Sequence, residues 1–247
     1  MRAAIFVSGL IRREEAGFAE IKEKIIEPNA EHQIDIYLDV WSNKLSKYEN
    51  KGGLWRQHRR ESLSFDSHHD LNEIWKLYNP VAMTIENDEN SKMFANLASE
   101  IKNGRKEKST PYAQLSQFYK LYCVNQLRKS RERALNIKYD LCLRTREELK
   151  YPNKILFNDF EIDDKKVFVE SASLPQSWSS DKFAICSPEV FDIYSELFLN
   201  FLKINKVRSS TQKGELVTAE IYLNHWLKND SNLEVIRDER IGKLDRR

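Results

Sequence analysis

Hydrophobic positions follow two different spacings along this chain, and the first forty residues show both. Residues Ala3 to Val7 form a continuous apolar run, which is typical of a strand buried on both faces. Apolar residues then recur at helical spacing from Ala16 to Ile26, and Pro28 is expected to end that helix. A second apolar run covers Ile34 to Trp41. The chain therefore opens with a predicted βαβ unit, whose parallel strands end on one edge of a sheet.

The rest of the chain repeats this alternation of helices and strands. We predict further strands at residues 79–86, 139–146, 155–157, 166–169, 183–186 and 233–236, and helices at residues 93–101, 114–135, 189–204 and 215–227. Residues 42–72 are polar and weakly patterned, and we interpret them as a long excursion at the ligand-binding edge. This alternation predicts an α/β fold, a mainly parallel sheet flanked by helices, in a single domain over residues 1–247.

Composition narrows the classes of protein to which the chain could belong. Hydrophobic residues make up 40% and charged residues 32% of the chain, which is typical of a globular protein with a charged surface. Its net charge of +2 is too small to require a nucleic-acid partner. Three cysteines without a CxxC pair predict buried thiols in a reducing cytoplasm. No window approaches the roughly 20 apolar residues of a membrane span, so no transmembrane segment is expected.

The segment from Lys138 to Leu149 carries the most informative chemistry. Its apolar strand runs directly into Arg144, Arg146, Glu147 and Glu148. Open α/β sheets bind ligands at the carboxyl ends of their strands, where these residues would lie. Arginine binds phosphate oxygens with paired donors, so Arg144 and Arg146 are candidate ligands for a diphosphate.

The ends of the first two predicted strands offer further candidates. Ser8 and Gly9 leave backbone N–H groups that could face a phosphate or a base, and Arg12 could reach a diphosphate. Asp39 could accept a ribose hydroxyl, and Trp41 could stack on a base. Each has a structural alternative: a plain strand-to-helix turn, a solvated arginine, or packing of the second strand against a helix.

Six segments carry a resemblance to known proteins, and they occur in order along the chain: residues 5–12, 34–41, 78–86, 116–119, 139–146 and 181–187. Together they resemble glycosyltransferases of the GT-A type, which have a Rossmann-like fold that binds nucleotide sugars. More narrowly, the chain resembles small GT-A-like proteins of bacterial surface-polysaccharide loci, large DNA viruses and phages.

The resemblance implies that two parts of the single domain bind different parts of the substrates, and it assigns roles to individual residues. Residues 1–110 would bind the nucleotide, and residues 111–247 would bind the sugar and the acceptor. It implies that Ser116 faces the donor sugar and that Asp181 lies beside the sugar and the acceptor, where a carboxylate could remove the acceptor's proton. Asp181 also fits a simple turn after two serines. Glu215 and Glu220 are further candidates for holding sugar hydroxyls.

One departure from the family concerns the metal ion. Metal-dependent GT-A enzymes carry Asp-x-Asp at the end of the strand that residues 139–146 would form, whereas this chain has Arg144-Thr-Arg-Glu-Glu148. Arginine cannot bind a hard cation, but Glu147 or Glu148 could hold Mn²⁺ or Mg²⁺. The sequence favours an activity that depends on a metal only weakly or not at all.

Two functional hypotheses follow from these observations. The first is a transferase that moves a sugar from a nucleotide-diphosphate sugar to a carbohydrate acceptor in glycan synthesis. The second is a catalytically inactive protein that binds nucleotide sugars or nucleic acid, motivated for nucleic acid by the basic runs at residues 56–60 and 128–133. Against nucleic acid, 38 acidic residues nearly balance 40 basic ones, and the basic runs lack interleaved aromatic residues.

Overall fold

The structure is a computed structural model, and it describes residues 1–11, 14–45, 65–68, 70–86, 111–171, 179–201, 203–204, 218–242 and 245–246. Its strands are β1 Arg2–Gly9, β2 Gln33–Trp41, β3 Asn43–Leu45, β4 Phe65–His68, β5 Ala82–Glu86, β6 Leu141–Thr145, β7 Leu149–Lys150, β8 Lys166–Glu170, β9 Ala184–Cys186, β10 Glu234–Asp238 and β11 Asp245–Arg246. Its α-helices are α1 Glu14–Ile21, α2 Leu71–Tyr78, α3 Pro111–Leu135, α4 Pro188–Ser195 and α5 Ala219–His225.

A mixed sheet of seven strands runs through the centre of the molecule in the order β10-β8-β9-β6-β1-β2-β5. Strands β1, β2, β5 and β6 pair in parallel with their neighbours among these four, and β10 pairs in parallel with β8. Strand β9 runs antiparallel to both β6 and β8. The expected α/β fold with a mainly parallel sheet is therefore confirmed, and strands from both halves of the chain share the sheet.

Helices cover both faces of the sheet, because the strands at its centre are apolar on both sides. On β1, Ile5 and Val7 pack into the cluster that contains apolar residues of α1 and α2. Phe6, between them, points to the other face, where it packs with residues of α3, α4 and α5. The continuous apolar run of the first strand is explained by this three-layer arrangement.

The first predicted helix is confirmed in outline but changes its character along its length. It begins as α1, continues as a π-helical turn from Lys22 to Ile26, and ends in a 3-10 turn that contains Pro28. Pro188 begins α4 as expected, and the Ser187 hydroxyl caps that helix by accepting a hydrogen bond from the Val190 N–H at 3.1 Å. The helix predicted for residues 189–204 is interrupted by a turn at residue 196.

The strand predicted at residues 155–157 is wrong, because this segment does not join the sheet. Phe157 instead begins a 3-10 turn, and Asn29 binds the backbone on both sides of it. The Asn29 side chain donates to the Ile155 carbonyl at 2.7 Å and accepts from the Phe157 N–H at 2.8 Å. The Ile155 N–H donates to the Lys24 carbonyl at 2.8 Å, so hydrogen bonds to the first helical segment replace a strand ladder.

Several expectations fall on parts of the chain outside the described residues. These are the helix at residues 93–101 and most of the excursion at residues 42–72, of which β3 and β4 form a short antiparallel pair. Among the helices in the described part of the chain, none is long and apolar enough to cross a membrane.

Candidate functional site

A topological switch point lies between β1 and β6, where the order in which the chain forms the strands changes direction. A ligand is expected at this place. From β1 the chain passes to β2 on one side, whereas β6 lies on the other side of β1 and also runs parallel to it. Such a switch point leaves a crevice outside the carboxyl ends of the two strands. Ser8 is the register partner of Asp39, and Val7 is the register partner of Thr145. The predicted strand ends at Ser8, Trp41 and Arg144 therefore lie on one edge of the sheet.

The antiparallel strand β9 brings a second group of residues to the same edge. Because β9 runs against β6, the residues that precede β9 lie where β6 ends. Asp181, three positions before β9, is placed in this way, as are Ser180 and Lys182. The carboxylate of Glu170, at the end of β8, accepts from the Ser180 hydroxyl at 2.8 Å and pairs with the Lys182 ammonium at 3.1 Å. These bonds fix the turn that carries Asp181.

The end of β1 is not covered by any of the described residues at Gly9. Gly9 has a φ angle of +107°, and a Cβ atom added there would meet no atom of the described part of the chain within 4 Å. The Ser8 hydroxyl oxygen is buried and has no hydrogen-bond partner among the described residues. A positive φ favours glycine, and a strand end without a side chain lets a ligand approach the backbone closely.

Arg144 lies beside this strand end as a fully buried cation. It is the register partner of Phe6, and its side chain is only 1% exposed. None of its three guanidinium nitrogens has a hydrogen-bond partner in the described part of the chain. Burial lowers the pKa of Arg144, and the charges of Tyr194 and Asp181 oppose that shift. An arginine pKa remains far above neutral pH, so the guanidinium keeps its charge.

Arg146 differs from Arg144 because it is held on two sides. Its Nη2 atom lies 2.6 Å from Glu148 Oε1, and its Nη1 atom donates to Gln117 Oε1 at 3.3 Å. Gln117 lies in the second turn of α3, and its Nε2 atom donates to Asp181 Oδ2 at 2.6 Å. A continuous chain of hydrogen bonds thus joins Glu148, Arg146, Gln117 and Asp181 across three separate segments of sequence.

Glu220 is the second carboxyl group near Asp181. It lies in the first turn of α5, is 8% exposed, and its backbone carbonyl accepts from the Ser179 N–H at 3.1 Å. Burial raises the pKa of Glu220 to about 7, and the charge of Asp181 acts in the same direction. The carboxyl group of Glu220 is therefore substantially protonated at neutral pH, where it can donate as well as accept a hydrogen bond.

Asp39 and Trp41, which the sequence assigns to the donor, are held in a buried cluster around Lys120. The Lys120 ammonium lies 2.7 Å from Asp39 Oδ1 and 2.7 Å from Glu86 Oε2, and is 4.1 Å from the centroid of the Trp41 ring. Burial raises the pKa of Asp39 to about 7, although the Lys120 charge opposes this. Trp41 is 6% exposed and stacks on Tyr119. These contacts suit the predicted alternative, in which the second strand packs against a helix, and a role in donor binding stays a prediction.

The remaining candidates divide into those that the structure places and those outside the described residues. Ser116 is half-buried in the first turns of α3, one position before Gln117. Glu147 lies against α1, because a Cβ atom at Gly17 would overlap both its carbonyl oxygen and its carboxylate. Within the described ranges, no group of three or more His, Cys, Asp or Glu side chains could hold a metal ion. Arg12 and Glu215 lie outside these ranges.

Three residues of the site were missed by sequence reasoning: Gln117, Lys120 and Tyr194. Lys120 carried no clear signal, since it lies off the apolar stripe of this helix that contains Leu115, Phe118 and Tyr122. Gln117 and Tyr194 carried none either, because polar and aromatic residues are common on amphipathic helices. No protein-family model matches the chain, and no curated protein sequence is significantly similar to it.

Proposed function

We propose that this chain is a glycosyltransferase that moves a sugar from a nucleotide-diphosphate sugar to a carbohydrate acceptor. The observation that carries this proposal is the meeting of two opposite kinds of group at one sheet edge. Arg144 and Arg146 arrive from the end of β6, and Asp181 arrives from the turn before β9, where Gln117 joins it to Arg146. Glycosyl transfer needs both kinds, a cation for the departing diphosphate and a base for the acceptor.

The position of the groups also supports the proposal. The crevice between the ends of β1 and β6 is where open α/β sheets hold nucleotides. The mixed sheet with helices on both faces is compatible with the GT-A architecture that the sequence resembles. We extend the proposal accordingly to a GT-A-like enzyme of glycan synthesis that works in the cytoplasm.

In a direct displacement, which inverts the anomeric carbon, each group has a defined task. Asp181 accepts the proton of the acceptor hydroxyl as the oxygen of that hydroxyl bonds to the anomeric carbon. The bond between that carbon and the diphosphate breaks, and the electron pair leaves with the diphosphate oxygen. Arg144 stabilises the charge that develops there, in a buried position where such a contact is stronger than in water.

The first experiment measures donor binding and turnover together. The protein is mixed with sugar diphosphates of uridine, guanosine or thymidine, and the shift in melting temperature is recorded with the release of nucleoside diphosphate. We expect one nucleotide class to raise the melting temperature. Arg144→Met should remove most of that shift, a loss of about 10- to 100-fold in affinity. The control is Arg133→Met, in the last turn of α3 on an exposed part of the helix.

The outcomes separate the two hypotheses. Release of nucleoside diphosphate that depends on an acceptor supports the transferase. A shift in melting temperature without release under any acceptor condition supports a catalytically inactive protein that binds nucleotide sugars. No shift with any of the donors contradicts both.

The described part of the chain gives little reason to favour nucleic acid as the ligand. The basic run on α3 begins with Arg128, which is 2% exposed and forms ion pairs with Asp192 and Glu132. Arg131 lies 3.9 Å from Asp35. Arginines that already neutralise carboxylates contribute little to a basic surface for phosphate backbones.

A further inference from the structure

Tyr194 is a second buried donor close to Arg144. It lies near the end of α4, is fully buried, and its hydroxyl has no hydrogen-bond partner among the described residues. Buried hydroxyl and guanidinium groups in folded proteins are nearly always hydrogen-bonded, because leaving them without a partner destabilises the protein. Two such groups side by side call for a common explanation.

Packing places both side chains on the same face of the sheet. Tyr194 stacks on Phe191, which stacks on Phe6 with a centroid separation of 4.3 Å. Phe6 is the register partner of Arg144 on the neighbouring strand. Burial raises the pKa of Tyr194, and the Arg144 charge acts against that rise, as expected for two groups that lie close together.

The chemistry of the two groups defines the ligand that would satisfy them. A guanidinium has five N–H donors and no acceptor, and a phenol can donate its proton. A complementary group must therefore present several acceptor oxygens together with negative charge. A phosphoryl group meets this requirement, and arginine matches its geometry with paired hydrogen bonds.

We propose that Arg144 and Tyr194 form an enclosed subsite for one phosphoryl group, in which both side chains donate hydrogen bonds to its oxygens. Its identification with the donor diphosphate rests on the function proposed above. The Ser8 hydroxyl lies on the same face as Phe6, next to the side of Gly9 that the described residues leave uncovered, and a ligand would approach from that side. Arg146 takes no part in this subsite, since Glu148 and Gln117 hold it beside Asp181.

The test removes the Tyr194 hydroxyl alone and uses pyrophosphate, which carries neither nucleoside nor sugar, as the probe. Tyr194→Phe should leave the melting temperature of the unliganded protein unchanged or raise it, because the hydroxyl that is removed has no hydrogen-bond partner among the described residues. The same change should weaken pyrophosphate binding in calorimetric titration by about tenfold or more, the equivalent of one charge-assisted hydrogen bond. Arg144→Met should also leave the melting temperature of the unliganded protein unchanged or raise it. It should weaken pyrophosphate binding, and both effects should be larger than those of Tyr194→Phe.

Tyr37 supplies a matched control. It is also a fully buried tyrosine, but its hydroxyl shares a hydrogen bond of 2.6 Å with the hydroxyl of Tyr139. Tyr37→Phe should lower the melting temperature and leave pyrophosphate affinity unchanged, which is the reverse of the pattern expected for Tyr194→Phe.

Each other outcome has a distinct meaning. A lower melting temperature for Tyr194→Phe with unchanged pyrophosphate affinity would overturn the subsite, and so would wild-type protein that does not bind pyrophosphate at millimolar concentrations. Binding of glucuronate that depends on Tyr194, without binding of pyrophosphate, would assign the site to a carboxylate and overturn the phosphate proposal. If pyrophosphate binding depends on Tyr194 but no nucleotide sugar binds, the subsite stands and the proposed glycosyl transfer fails.

Discussion

Gln117 Nε2 lies 2.6 Å from Asp181 Oδ2, across 64 positions of sequence, and the other end of the same amide accepts from Arg146. One side chain therefore orients the proposed base and a cation of the site together. We infer that Gln117 is a positioning residue for the transfer step.

Gln117→Leu should slow transfer by about 10- to 100-fold and change donor affinity little, because Asp181 loses a hydrogen bond that fixes its orientation. Gln117→Glu should place a negative charge beside Asp181 and disfavour its ionised form. The rising limb of the pH–rate profile should then move to higher pH, which a purely structural role would not produce. Gln126→Leu, on the same helix, is the control and should leave both the rate and the profile unchanged.

Asp181→Asn should reduce transfer by about two to four orders of magnitude, the usual contribution of a positioned base. Donor affinity should remain within a few-fold of wild type, measured by the same thermal shift. Glu234→Gln, an exposed change on β10, should affect neither quantity. An active Asp181→Asn protein would move the role of base to Glu220 or Glu215.

Removal of divalent metal should leave at least about half of the transfer rate. Arginines stand where GT-A enzymes that depend on a metal carry carboxylates, and Glu148 is already paired with Arg146 at 2.6 Å. The measurement is the rate of nucleoside diphosphate release with and without EDTA. Complete loss in EDTA with recovery on adding Mn²⁺ would instead identify Glu147 or Glu148 as a ligand.

Lys120→Met should destabilise the protein by about 3–5 kcal/mol, because it leaves Asp39 and Glu86 facing each other without their shared cation. Denaturant unfolding measures the effect. The loss should be smaller at pH 5 than at pH 8, since burial raises the pKa of Asp39 to about 7 and protonation of Asp39 at the lower pH relieves the repulsion. Lys76→Met, an exposed change on α2, should cost less than about 0.5 kcal/mol.

The free energy of unfolding should fall as the pH rises from about 4.5 to 7, in part because of Glu220. Its pKa is raised to about 7 in the folded state, from a usual value of 4.5. Between these values the folded state binds more protons than the unfolded state, so each unit of rising pH lowers stability by up to about 1.4 kcal/mol. Glu220→Gln should flatten this slope. Part of the pH dependence should remain in that variant, because the pKa of Asp39 is also raised to about 7. An unchanged slope in Glu220→Gln would contradict the shift.

Sequence was sufficient to predict that the central strands are parallel and covered on both faces. The apolar runs that contain Phe6, Leu38 and Leu143 do form parallel strands of this kind, because only strands buried on both faces carry such continuous patterns. Their order in the sheet was not predicted. The direction of β9 could not be predicted. A run of three buried residues has the same pattern whichever way it enters the sheet, and its direction depends on the loops around it.

The contacts within the candidate site were largely beyond sequence analysis for a related reason. Hydrophobic spacing shows which face of α3 is buried, but not which strand end that face meets. Gln117 and Lys120 are three positions apart from one another in sequence, yet they serve different clusters, one around Asp181 and the other around Asp39. The position of α3 relative to the strand ends determines which cluster each side chain joins. That position depends on packing between residues that are distant in sequence.

The cross-strand neighbours Cys142 and Cys186 can report how often strands β6 and β9 separate. They face each other across the antiparallel junction of β6 and β9, both are fully buried, and burial raises the pKa of each thiol. A thiol reagent can modify them at an appreciable rate only after these two strands separate, whereas the half-buried Cys123 is reached sooner. The delay between the first and the later labelling events therefore measures how long β6, which carries Arg144, and β9, which follows Asp181, stay paired.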